Sequence, residues 1–289
     1  MTAIIFGVNG QDGYYLTKLL IGNGIRVIGV SRSAGDVIGD VSNYHLVQSL
    51  IEKYKPKYIF HFAANSTTDH SALFDNQQAI VQGTINILEN VRLHCPTAKV
   101  FLSGSALQFE NQGHPIDENT SFHGNNHYSI ARIHSTYTGR YYRINFGLKI
   151  YIGYFFNHDS PLRTEKHVNQ KIASAARRIA AGSLEKLSLN NIEVQKEFNY
   201  SADIVEAVWI LINQNIKYEA VLGCGQAYSI KDWLEACFMR INKPWQEHTL
   251  IRKNLFPEYK VLVSNPKLIK DLNWRPKISF IEMADIMMR

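Results

Sequence analysis

An apolar run, Ala3-Ile4-Ile5-Phe6, passes directly into Gly7-Val8-Asn9-Gly10-Gln11-Asp12-Gly13, and a periodic stretch with Leu16, Leu19 and Leu20 follows. Strand, glycine turn and helix in that order constrain the fold more than anything else in the chain. Gly7 permits a tight turn, Gly10 lets the main chain approach a pyrophosphate, and Gly13 lets the helix pack on the strand. Free N–H groups and the helix dipole then favour an anion at the helix N-terminus. Three spaced glycines alone are a weak signal; the strand before and the helix after supply the context. The segment is therefore expected to hold a dinucleotide, with Asn9, Gln11 and Asp12 beside the glycines.

Strand and helix patterns keep alternating through the first 155 residues. Apolar runs at 26–30, 58–62, 99–103 and 149–155 predict strands, Asp40-Val41 closes a short third strand, and 43–54, 77–93 and 128–146 carry helical periodicity. This alternation predicts an α/β fold: a doubly wound parallel sheet of Rossmann type with helices on both faces. Its ligands lie outside the carboxyl ends of the strands. Helical stretches at 168–181, 202–213, 229–241 and 278–288 follow in a looser pattern. Residues 1–155 are expected to form the dinucleotide-binding domain, with parts of 200–225 returning to it. Residues 156–289 are expected to form mainly a small substrate-binding cap with little apolar mass of its own.

The 289-residue chain is 45% hydrophobic and 19% charged, as in globular proteins with a sizeable core. No apolar run approaches the ~20 residues that span a bilayer, and the N-terminus lacks a secretory pattern, so a cytoplasmic location without membrane association is expected. Cys95, Cys224 and Cys237 are scattered and read as buried free thiols; no metal site is expected. A net charge of +6 with 11 His suits anionic ligands such as phosphorylated cofactors. Arg177-Arg178 and the pair Arg140 and Arg143 read as solvated helix faces, and no nucleic-acid partner is expected.

Chemistry concentrates after the run Lys99-Val100-Phe101-Leu102-Ser103. Ser105 follows at that strand's carboxyl end, and Tyr128 and Arg132 stand four apart on one helix face. A cation favours the ionised form of a phenol, so Tyr128 beside Arg132 could exchange a proton with an alcohol or carbonyl oxygen near neutral pH. Ser105 would hydrogen-bond the same oxygen. The run 26–30 leads into Ser31-Arg32-Ser33 with no carboxylate; an Arg there accommodates a 2′-phosphate, which points to NADP(H) rather than NAD(H).

Two stretches carry a family resemblance. Gly10-Gln11-Asp12-Gly13-Tyr14-Tyr15-Leu16 resembles a GQDGxYL loop, and Phe156-Asn157-His158-Asp159-Ser160-Pro161 resembles an FNHESP segment. Both are features of the extended short-chain dehydrogenases/reductases that modify nucleotide sugars, within the GDP-mannose 4,6-dehydratase and GDP-4-keto-6-deoxymannose reductase branch. His61-Phe62-Ala63-Ala64 and Asn273-Trp274-Arg275-Pro276-Lys277 with Phe280 add support. The resemblance implies that Gly7, Gly10 and Gly13 hold the cofactor pyrophosphate, that Asp40 and Val41 border the adenine, and that Phe62, Ala63, Ala64, Phe155, Asn157 and His158 line the cofactor further along. Ser105, Tyr128 and Arg132 take the catalytic positions. Ser66, Ala106, Leu107, Asn157, Arg163, Val168, Lys171 and Lys196 fall at the substrate, where Asn157, Arg163 and Lys171 suit its pyrophosphate.

Departures from the family pattern direct the expected chemistry. The dehydratases carry a Glu two residues after the catalytic Ser/Thr; Leu107 stands there and cannot exchange protons. The YxxxK motif is Tyr128-Ser129-Ile130-Ala131-Arg132, with a planar fork in place of an ammonium. Phe256 and Lys196 stand where the family has phosphate-binding arginines. The expected function is therefore an NADP(H)-dependent oxidoreductase at C4 of a nucleotide-activated sugar, reducing a GDP-4-keto-6-deoxyhexose. The alternatives are a nucleotide-sugar 4,6-dehydratase or epimerase, and a degenerate protein that binds NADP(H) and nucleotide sugar without turnover. The chain is shorter than the dehydratases, and a homodimer through the helices starting near Gln77 and Tyr128 is expected.

Overall fold

A computed structural model describes residues 1–252 and 259–289. Strand β1 (Thr2–Phe6) runs through the glycine turn into α1 (Gln11–Gly22), followed by β2 (Arg26–Ser31), β3 (Val37–Ile38), α2 (Tyr44–Tyr54) and β4 (Tyr58–His61). A helical stretch then joins α3 (Leu73–Asn76), a π-helical segment (Gln77–Gln82) and α4 (Gly83–His94). Next come β5 (Lys99–Ser105), α5 (His127–Phe146), β6 (Lys149–Phe155) and β7 (His158–Asp159). The remainder comprises α6 (Val168–Ala180), β8 (Leu187–Leu189), β9 (Gln195–Glu197), β10 (Asn199–Tyr200), α7 (Ser201–Asn213) and β11 (Glu219–Leu222). It ends with β12 (Ala227–Ser229), α8 (Ile230–Met239), β13 (Thr249–Ile251), β14 (Val261–Leu262), α9 (Lys267–Asp271) and α10 (Phe280–Met287).

Seven strands form one parallel sheet in the order β11-β6-β5-β4-β1-β2-β3. The chain winds outward in both directions from β1 and β4, so the topological switch lies between them and a ligand crevice opens outside their carboxyl ends. Register aligns Phe6 with Val30 and His61, and Ser105 with Phe155. The strands are apolar on both faces because helices cover both. On one side Val47, Leu50, Ile87, Leu88 and Val91 of α2 and α4 pack on Ile4, Phe6 and Ile59. On the other, Leu16 and Leu20 of α1 and Ile204, Val208 and Leu211 of α7 pack on Ile5, Phe60 and Phe101. Fully burying each such side chain contributes roughly 1.5–3 kcal/mol.

Local signals set the ends of the helix that carries the candidate tyrosine. Asn126 accepts from Ser129 N and the Ser129 hydroxyl answers to Asn126 N, a reciprocal cap; Gly147, at φ 66°, ends α5 in the left-handed region.

Three expectations need correction. The third strand, Val37–Ile38, closes before Asp40-Val41, because Gly39 N bonds to Ser31 O and Asp40 then caps a turn at Ser42 N. The helix expected at 77–93 begins at Leu73 and carries the π-helical segment. The C-terminal part is also not poor in apolar mass: Ile172, Ile179, Trp233, Phe238, Met283 and Met287 are all fully buried in a separate cluster. Its apolar residues come from α6, α8 and α10, far apart in sequence, so no single window reveals that core. Meanwhile α7 and β11 join the main sheet layer.

Candidate active site

The crevice at the switch point divides into a narrow pocket and a wide cleft. The narrow pocket, about 190 Å3, is lined by Gly7, Asn9, Gly10, Arg32, Asp40, Val41, Ala63 and Ala64. Gly7 and Gly10 were expected at the pyrophosphate, Asp40 and Val41 at the adenine, Arg32 at a 2′-phosphate, and Ala63 and Ala64 further along the cofactor. Gly7 has φ +90°, and a Cβ there would meet Ala63 N at 2.7 Å. Gly13 lies beneath the turn, where a Cβ would come within 2.5 Å of Gly7 O; it serves by close packing rather than by facing the pocket. Gly10 caps α1 without any side-chain hydrogen bond, which leaves first-turn N–H groups for an anion. At the β2 end, Asn9 Nδ2 donates to Ser31 Oγ (2.7 Å), Ser33 Oγ (3.2 Å) and Ala34 O (2.8 Å). Asp36, the carboxylate in that loop, is turned away to accept from Gly29 N at 2.7 Å. Arg32 is thus the charged side chain that the β2 end presents.

The two stretches on which the resemblance rests interlock. Gln11 Nε2 donates to His158 O (3.1 Å), Ser160 Oγ donates to Gln11 Oε1 (3.0 Å), and His158 Nε2 meets Asp12 Oδ1 at 2.9 Å. The Gln11 side chain is therefore a strut, and a ligand can reach only its main chain. Burial opposes charge on both His158 and Asp12, but their mutual attraction outweighs it: the His158 pKa is raised and that of Asp12 lowered. The other ring nitrogen, Nδ1, faces Phe156 O at 2.8 Å, which suits a charged imidazolium. Next along, Asp159 binds Arg163 Nε at 3.0 Å and Asn169 Nδ2 at 2.6 Å.

Ser105, Tyr128 and Arg132 come together on one wall of the wide cleft. The Ser105 hydroxyl caps a short 3₁₀ turn by accepting from Leu107 N at 3.2 Å, and Gln108 closes the reciprocal bond. Tyr128, 8% exposed, receives a hydrogen bond from Arg132 Nε at 3.3 Å. Arg132 is 4% exposed and anchored further: its Nη1 donates to Ser103 O (2.5 Å) and Ser103 Oγ (2.8 Å). Ser103 was not among the expected residues. The signal was present, because alternation places Ser103 and Ser105 on one face of β5. Behind them, burial first and Arg132 second push His61 down to about 3, so that ring is neutral.

The wide cleft, about 910 Å3, brings together Phe62, Ser66, Ser105, Ala106, Leu107, Tyr128, Arg132, Phe155, Asn157, His158, Arg163, Val168 and Lys196. Burial lowers the pKa of Lys196, with Asp159 partly offsetting it. Lys171 is a correction: its ammonium turns to Ser188 O at 2.7 Å, fastening α6 to β8, and it does not line the cleft. Arg140 and Arg143 are not a solvated face either. Both clamp Glu219, holding its carboxyl down at about 2 despite burial. Arg178 does lie on an exposed face, where it pairs with Glu165 and Glu185. Cys95 and Cys237 are buried and Cys224 half-buried, all as free thiols. Phe256 lies outside the described residues. Among the described residues no His, Cys, Asp and Glu cluster is placed to hold a metal, and no helix is long and apolar enough to cross a membrane.

With this geometry in place, the relatives follow. The family profile of GDP-mannose 4,6 dehydratase matches residues 4–287. The chain belongs to that family. The family falls within the extended short-chain dehydrogenases/reductases of the epimerase/dehydratase type. The chain is 28% identical to GDP-mannose 4,6 dehydratase 1 of Arabidopsis thaliana, over 99% of this chain and 88% of that protein. Its fold is similar to that of dTDP-glucose 4,6-dehydratase from Bacillus anthracis in complex with NAD, with TM-score 0.88, 15% identity and coverage of 100% and 95%. It is similar too to RMD from Pseudomonas aeruginosa complexed with NADPH, with TM-score 0.86, 17% identity and coverage of 99% and 97%.

Proposed function

We propose that this protein is an NADP(H)-dependent oxidoreductase that reduces the C4 carbonyl of a nucleotide-activated sugar, a GDP-linked 4-keto-6-deoxyhexose. The observation that carries this reading is Leu107. It lines the cleft two residues after Ser105 and packs an apolar side chain where dehydration requires a proton-transferring group. Glu110 is exposed and bonded to Gln112, so it does not replace that group. Three of the cleft carboxylates are engaged elsewhere, Asp12 with His158, Asp159 with Arg163 and Asp69 with Ser71, and the fourth, Asp75, stands at the junction with the narrow pocket. What remains suits carbonyl reduction. Tyr128 donates a proton to the sugar's C4 oxygen, the Ser105 hydroxyl hydrogen-bonds that oxygen, and Arg132 holds the phenol.

The narrow pocket supports a dinucleotide, since a backbone cradle at Gly7 and Gly10 is open to a pyrophosphate. Asp40 and Val41 would border the adenine and Ala63 and Ala64 the wall toward the nicotinamide ribose, with Phe62, Phe155, Asn157 and His158 further along. When bound, the reduced nicotinamide supplies the hydride. Arg32, with Ser31 and Ser33 beside it and no carboxylate facing in from that loop, favours a 2′-phosphate and hence NADPH over NADH. Lys196, Arg163 and Asn157 face the expected diphosphate of the substrate, and Ser66 and Val168 flank it. We also read the protein as a homodimer, because Ile130, Tyr137, Tyr141 and Ile144 lie exposed along one side of α5.

A second reading, 4,6-dehydration, is favoured by the similarity to GDP-mannose 4,6 dehydratases. One experiment separates the two. Purified protein is mixed with NADPH and freshly made GDP-4-keto-6-deoxymannose, with Tyr128→Phe as control, and the NADPH absorbance is followed. Loss of absorbance in wild type alone supports reduction. Conversion of GDP-mannose in a parallel assay, with no net change in nicotinamide absorbance, overturns it in favour of dehydration, and tight NADPH binding without either reaction leaves a binding protein.

A further inference from the structure

We propose that Ser103 is a positioning residue that makes an arginine workable at position 132. The idea rests on the reading of Tyr128 as the proton donor. Arg132 Nη1 is held by two acceptors on one residue, the Ser103 carbonyl at 2.5 Å and its hydroxyl at 2.8 Å. The Ser103 hydroxyl has a single hydrogen, which it donates to His61 O at 2.8 Å. Its lone pairs are thereby turned toward the guanidinium, and the hydroxyl cannot swing away without breaking a buried bond. A guanidinium is planar, so fixing Nη1 against two acceptors fixes the plane and with it the direction of Nε. That direction is toward the Tyr128 hydroxyl, 3.3 Å away. Every member of this chain is nearly fully buried: Ser103 and Arg132 at 4% exposed, His61 at 1%.

The same argument separates arginine from lysine. With the Ser103 hydroxyl removed, Nη1 keeps one acceptor and the fork can pivot about it, carrying Nε off the phenol. An ammonium is a rotating point donor with no plane to fix, so a lysine at 132 gains little from a second anchor. Ser103 and Arg132 therefore work as a pair. The dependence on Ser103 is expected to disappear when position 132 is lysine.

Four proteins test this: wild type, Ser103→Ala, Arg132→Lys and the double variant. Ser103→Cys serves as a second substitution of similar size with a weak acceptor, in case the alanine variant does not fold. Two readouts are taken with NADPH present: the arginine side-chain 15N–1H spectrum, with the Arg132 Nε–H signal assigned by its loss in Arg132→Lys, and turnover of GDP-4-keto-6-deoxymannose. In Ser103→Ala or Ser103→Cys, the Arg132 Nε–H signal is expected to shift and lose its protection from solvent exchange. The kcat should fall about tenfold, the scale of a lost hydrogen bond to a charged group, with the KM for NADPH within about twofold. In the Arg132→Lys background the same change should move kcat less than about twofold. An unmoved Nε–H signal in the Ser103 variants overturns the proposal, as does an equal loss of turnover in both backgrounds, which would mark Ser103 as merely structural. If wild type shows no turnover, the reading of the reaction fails while the spectrum still decides the pairing.

Discussion

The narrow pocket under the glycine turn and the wide cleft beside it, about 190 and 910 Å3, meet at Asn65 and Asp75 but are built from different materials. The narrow pocket is mostly main chain and small side chains, gathered from the ends of neighbouring strands around a glycine turn that is itself continuous in sequence. The cleft is mostly side chains, many of them ionisable, supplied by β5, α5, β7, β9 and the segment around 160–168. Its charges are organised by pairing: Asp12 with His158, Asp159 with Arg163, Arg132 with Ser103. Main-chain geometry is dictated locally by glycine, whereas side-chain pairing depends on what the fold brings opposite.

The largest effects are expected on the cleft side. Tyr128→Phe is expected to lower kcat by about 10²–10⁴-fold, the usual weight of a positioned acid, with NADPH affinity kept, as measured by turnover and by fluorescence titration. A smaller effect separates the two lysines. Lys196→Met should raise the KM for the GDP-sugar about tenfold by removing a charge from the phosphate wall, while Lys171→Met should leave it within about twofold. Equal effects would restore Lys171 to the cleft.

On the narrow-pocket side, Arg32→Ala should raise the KM for NADPH about tenfold and leave that for NADH unchanged. A parallel loss for both cofactors would mean that Arg32 does not read the 2′-phosphate. The glycines then divide by cause. Gly13→Ala should cost about 1–3 kcal/mol of stability, seen in denaturant unfolding, because its Cβ meets main chain at 2.5 Å. Gly10→Ala meets Gly7 O only at 3.4 Å, so it should leave stability nearly unchanged and weaken NADPH binding alone.

The smallest effect concerns pH. The raised pKa of His158 makes its contribution fully present below the unfolded value, near ~6.5, and lost as pH rises through the folded value. The lowered pKa of Asp12 makes its contribution present above the unfolded value, near ~3.9, and lost as pH falls through the folded one. The Tm difference between wild type and Asp12→Asn should therefore be largest between about pH 4 and 6.5 and shrink toward alkaline pH. A difference that grows with pH would mean that the pair is not ionic.

Most of the parallel sheet and the glycine turn were legible in the chain, because each announces itself over a few neighbouring residues. The strand at Val37–Ile38 was not, since two residues carry no periodicity and only the edge of β2 selects them. Ser103 escaped because its partner is 29 residues away on another element. Lys171 and Arg140 were misread because a cation shows its sign in sequence but not whether Ser188 O or Glu219 will stand in front of it.

Local conformation is written into short stretches of the chain: the αβ alternation, the turn that requires glycine, and the caps at Asn126 and Gly147. The partners of buried polar groups emerge on folding, Gln11 against His158 and Ser160 and Arg132 against Ser103, as does the second core gathered from α6, α8 and α10. The physical reason is range. Backbone preference and capping act over a few residues, whereas desolvated charges and apolar side chains are satisfied by whichever groups the folded chain places within a few ångströms.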